Sequence, residues 1–104
     1  MPLEVTEVNG SRFDLALERF KEGYPFNFRG VIFRLLSDRF LEVSVQSTWR
    51  MENATEETAL KVFKIANNIT DALLIESPSF ASLIKNRSRH SILIDDYGKG
   101  AVEL

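Results

Sequence analysis

The sequence predicts an α+β fold: an antiparallel β-meander of two N-terminal hairpins, packed by one long and one short helix, with a C-terminal strand or hairpin. Three observations lead there. Residues 1–51 alternate apolar and polar positions between turn signals, residues 53–86 repeat their apolar positions with the helical period, and residues 87–104 return to alternation. No internal repeat, low-complexity tract or linker interrupts the 104 residues, so a single α+β domain over 1–104 is expected.

The first element can be read two ways. In "EVNGSRFDLALERF", residues 7–20, a three-residue loop at Val8, Asn9 and Gly10 sets Val5 opposite Phe13 and Leu3 opposite Leu15. One strand face then gathers Leu3, Val5, Phe13, Leu15 and Leu17, and Gly10 falls where a bulged turn takes a left-handed residue. The alternative is a helix with Phe13, Ala16, Leu17 and Phe20 on one face, Ser11 as cap, Asp14 closing a capping box and Gly23 as the stop. That helix turns Leu15 away from the core, and on this ground the hairpin is preferred. Whether residues 11–22 are strand or helix decides between the meander and a ferredoxin-like β-α-β-β-α-β order.

In "EGYPFNFRG", residues 22–30, Phe26 and Phe28 are read as the start of the next strand. The hairpin that follows, "RGVIFRLLSDRFLEVSVQS", turns at Ser37–Arg39. This loop pairs Leu35 with Leu41, Phe33 with Val43 and Val31 with Val45, which makes one face wholly apolar; a two-residue loop would scramble the faces. The same geometry requires a left-handed Arg39.

From "NATEETALKVFKIANNITDALLIES" a helix is predicted, capped by Asn53 or Thr55, with Glu56 and Glu57 in the first turn. Ala59, Val62, Phe63, Ala66, Ile69 and Leu73 form its apolar stripe, which Leu74 and Ile75 widen at the end. Ser77 and Pro78 then open a second, short helix. Ile92 and Ile94 alternate against Leu93 in a strand, "YGKG" is a turn, and "AVEL" closes the sheet.

Composition narrows the function classes. Hydrophobic content of 44% with eight Phe argues against disorder. A net charge of −2 argues against a nucleic-acid binder, whose affinity rests on neutralising phosphates. The absence of Cys excludes disulfides and thiolate chemistry and fits a reducing cytoplasm. "MPLEVTEVNG" has neither the basic nor the apolar region of a signal peptide, and no apolar run is long enough for a membrane span.

Four stretches carry candidate sites. In "DDYGKG", Asp95, Asp96, Tyr97 and Lys99 leave a strand where carboxylates and mobile backbone could meet a ligand; the plainer reading is a turn whose Asp residues bond their own backbone. In "KNRSRH", Lys85, Arg87, Arg89 and His90 suit an anion, or else simply complement a helix C-terminus. Ser88, Ser91, His90 and Asp95 lack the elbow motif of a hydrolase triad. Trp49, Arg50 and Met51 are residue types enriched in interfaces, although Trp49 shares the parity of the buried Val43 and Val45. Tyr24, Phe26 and Phe28 supply an aromatic platform, or else cover one end of the core.

The face opposite the core still carries Ile32, Leu36 and Phe40, which favours burial against a second copy. The expectation is therefore a small, soluble, non-enzymatic interaction protein of bacterial cytoplasmic type. It is homodimeric or bound to another protein, of immunity or antitoxin character by size and charge. No cofactor, metal, nucleic acid or membrane is expected. The alternative is a small-ligand binder or minor enzyme that uses the Asp95–Tyr97 turn and His90.

Overall fold

The computed structural model describes residues 3–5, 8–46, 55–94 and 101–103. In chain order these form β1 (Leu3–Val5), α1 (Ser11–Lys21), β2 (Phe26–Phe28), β3 (Val31–Leu35), β4 (Phe40–Gln46), α2 (Glu56–Glu76), α3 (Pro78–Ile84), β5 (Ser88–Ile94) and β6 (Ala101–Glu103). The six strands make one sheet in sequential order. β1–β2 and β4–β5 are parallel, and the other three pairings are antiparallel. The α+β class, the long and short helices and the closing strand all stand; the sheet is mixed, because a helical crossover joins each parallel pair.

The first hairpin is corrected to a β-α-β unit. Residues 11–21 are helix α1, with Phe13, Ala16, Leu17 and Phe20 buried. Asn9 is left-handed (φ 66°) and Gly10 is the N-cap, so the Asn-Gly pair starts a helix instead of a hairpin. At the other end, Gly23 (φ 99°) donates to Phe20 O and Tyr24 N to Arg19 O, the paired bonds of a Schellman stop. The helix wins because it buries two Phe rings where the hairpin would bury one. Phe20 stacks on Phe80 of α3 at 5.8 Å and lies 5.6 Å from Phe26. The ferredoxin-like alternative has the helix in the right place but not the topology. A third strand, β2, precedes the β3–β4 hairpin, and the strands flanking each crossover are direct neighbours with no strand between them.

Phe26–Phe28 is a strand in its own right, joined to β3 by the two-residue turn Arg29–Gly30, with both residues at positive φ (50° and 82°). The Arg29 guanidinium lies over the Phe28 ring at 4.8 Å and 3.6 Å from Glu76. The β3–β4 register agrees with the reading from sequence at Val31–Val45, Phe33–Val43 and Leu35–Leu41. Arg39, however, is not left-handed. Its N–H donates to Ser37 Oγ at 3.2 Å and Leu36 N–H to Phe40 O at 3.1 Å, which closes the turn without strain.

α2 starts at Thr55, whose side chain accepts from Thr58 N–H at 3.2 Å while Thr55 N–H donates to Thr58 Oγ1. The Glu57–Lys61 pair forms at 3.8 Å. Thr70 adds to the expected stripe; its buried hydroxyl donates to Ala66 O, four residues back, at 2.8 Å. Ile75 departs from the reading from sequence: it is 84% exposed, so the end of α2 is not more enclosed on that side. Ser77 caps α3 by accepting from Phe80 N–H, with Pro78 in the first helical turn.

Register fixes the two faces of the sheet. Phe26, Phe33, Val43 and Ser91 stand in one row, and Phe28, Val31, Val45 and Leu93 in another. All three helices pack on this side. Phe13 and Phe20 of α1 and Phe80 of α3 meet Phe26 at 5.4, 5.6 and 5.9 Å. Ala59 and Phe63 of α2 cluster with Leu93 and Val45.

Candidate functional site

The one-sided helical layer creates two surfaces of interest, the face of the sheet that is bare of described helices and a groove beside α3.

On the bare face, Asn27, Ile32, Ser44 and Ile92 stand in a row across four strands. Arg34, Glu42 and His90 form the next row, and Gln46 and Ile94 the one on the other side. Arg34 reaches Glu42 at 3.8 Å, and Ser44 Oγ donates to the same carboxylate at 3.4 Å. Ser44, between Ile32 and Ile92 in the row, is 2% exposed. Asn27 Oδ1 is buried with no donor among the described residues. Leu36 and Phe40, flanking the turn of the β3–β4 hairpin, are both exposed. No described helix packs on this face.

The groove has a volume of about 630 Å³ and lies where the end of α2, α3 and the start of β5 meet. Leu74, Pro78, Ala81 and Ile84 supply its apolar lining. Lys85, Arg87 and Arg89 also line it. The left-handed Asn86 (φ 71°) follows the end of α3, so the chain reverses and Lys85, Arg87 and Arg89 all come to line the groove. Arg87 Nη1 donates to Leu83 O at 3.0 Å, and its Nη2 lies 4.0 Å from Asp38. Arg89 Nη1 donates to Asn67 Oδ1 at 3.1 Å and Nη2 to Asp71 Oδ1 at 2.6 Å. Both guanidinium groups are thereby held in place, while Lys85 is exposed at the rim.

The structure separates the candidates that the sequence grouped. Arg87 and Arg89 share the groove, but His90 follows Arg89 on β5 and by strand alternation faces the other way, opposite Glu42. Phe26 and Phe28 are fully buried, so they are core and not a docking platform; Tyr24 is 59% exposed. Trp49, Arg50 and Met51, and likewise Asp95, Asp96, Tyr97 and Lys99, lie outside the described residues. Among the described residues no three His, Asp or Glu side chains gather as a metal site, and no helix is long and apolar enough to cross a membrane. Sequence reasoning missed Asn67 and Asp71, and read Leu74 only as widening the apolar stripe of α2. Their place beside the cations carries no local signal, because the reversal at α3 is what brings α2 alongside.

Comparison of the chain with protein-family models, with curated proteins and with solved structures returned no match.

Proposed function

We propose that this protein is a non-enzymatic interaction domain that pairs with a second copy of itself through the bare face of its sheet. The observation behind this reading is the placement of all three helices on one face, which leaves Ile32, Ile92 and Ile94 on the other. A sheet that keeps one face in water ordinarily makes that face polar by alternation. Here three isoleucines interrupt it, flanked by Arg34, Glu42 and His90. A two-fold axis along the middle row sets Ile32 and Ile92 against a second copy of the same row and keeps Glu42 away from its own copy.

The test is the mass in solution at micromolar concentration by light scattering. The native chain is expected at twice 11.9 kDa, and an Ile92→Glu variant at the monomer mass with an unchanged far-UV spectrum. A native chain that runs as a monomer removes the reading.

A further inference from the structure

We infer that the groove between α2, α3 and β5 is a binding site for a small phosphate monoester with an apolar body. It lies on the helical side of the sheet, so it does not depend on self-association through the bare face.

The lining has two chemistries. Leu74, Pro78, Ala81 and Ile84 offer apolar surface, and the volume of about 630 Å³ falls in the range of small-ligand sites. Lys85, Arg87 and Arg89 line the same groove in a chain whose net charge is −2. Among the described residues, Asp71 is in firm contact with Arg89 at 2.6 Å, whereas Asp38 stands at 4.0 Å from Arg87, the outer limit of an ion pair. Among the described residues, three positive charges against one close carboxylate and one distant one leave an excess of between one and two, which a phosphate dianion matches better than a carboxylate.

Preorganisation supports the same reading. Asn67 and Asp71 fix the Arg89 fork, and the Leu83 carbonyl fixes Arg87. A guanidinium has five N–H donors, and these contacts use two on Arg89 and one on Arg87, so donors are left for a ligand. The bond from Arg87 to Leu83 O also offsets the negative end of α3, which would otherwise repel an anion. Little side-chain ordering is then left to oppose binding.

The experiment is a ¹H–¹⁵N NMR titration of the full chain at low ionic strength with phenyl phosphate, inorganic phosphate and benzyl alcohol. Saturable shifts at the amides of residues 81–89 are expected with phenyl phosphate, about tenfold tighter than with inorganic phosphate because the ring adds apolar burial. Benzyl alcohol is expected to leave those amides unmoved. Lys85→Gln, at an exposed position, is expected to weaken phenyl phosphate roughly twofold to fivefold, and Asp71→Asn to tighten it by a similar factor, as for one part-screened charge. Three results would overturn the assignment: no saturable shift in that segment, equal affinity for the two phosphates, or a dissociation constant that neither variant changes. The NMR spectrum of each variant reports whether it is folded.

Discussion

Replacing Phe13, Leu15 and Ala16 one at a time tests the β-α-β unit at the N-terminus, because helix and hairpin both bury Phe13 but assign Leu15 and Ala16 to opposite sides. In α1, Phe13 is 1% exposed and meets Phe26 and Phe28 edge-on at 5.4 and 6.4 Å. Truncating such a ring removes its transfer energy and leaves a cavity, so Phe13→Ala should cost ~3–5 kcal/mol. Leu15 is 51% exposed, so only about half of its burial energy is at stake, and Lys has nearly the same helix propensity. Leu15→Lys should therefore cost no more than ~1 kcal/mol. Ala16 is 3% exposed, and Ala16→Glu there forces an unpaired carboxylate into an apolar layer at ~3 kcal/mol or more. In a hairpin Phe13 would remain costly, but Leu15 and Ala16 would exchange roles, with Leu15 in the core and Ala16 facing out. Urea unfolding followed by far-UV circular dichroism measures all three, against a total stability on the order of 5–15 kcal/mol. The helix assignment is refuted if Leu15→Lys costs as much as Phe13→Ala, or if Ala16→Glu is neutral.

Two further substitutions probe the sheet. Gly30 sits at φ 82° with open space where a methyl group would stand, so Gly30→Ala meets no clash and should cost only the backbone penalty, about 1 kcal/mol by chemical denaturation; a neutral result would argue against the two-residue turn. Asn27 Oδ1 is buried without a donor among the described residues, and Asn27→Val removes that acceptor while suiting the strand, so the urea midpoint should rise by an amount equivalent to about 1 kcal/mol. A fall in the midpoint would show that the amide does more for the fold than the described contacts reveal.

Much of the β3–β4 hairpin was legible in advance. Only one loop length makes a continuous apolar face, and burial enforces that register. The caps of α2 and α3 were equally legible, since Thr55 and Ser77 act on backbone within three residues of themselves. The Arg29–Gly30 turn was not, because Arg is a poor first residue for it; the contacts of its guanidinium with Phe28 and Glu76 favour this placement. The basic cluster was visible as sequence, but the groove was not. Its apolar wall includes Leu74, and the partners that orient Arg89 lie 22 and 18 residues away in α2.

The sequence by itself determined the α+β class, the long and short helices and their caps, the central hairpin and the closing strand. Each rests on periodicity or on contacts between near neighbours. Only the tertiary structure decided whether residues 11–21 wind or extend, and which face of the sheet the helices cover. Phe20 is not on the buried face of a hairpin, whereas in α1 it stacks on Phe80 of α3, 60 positions later. Both forms of "EVNGSRFDLALERF" satisfy local rules, so the choice passes to the form whose apolar face has a distant partner to bury it.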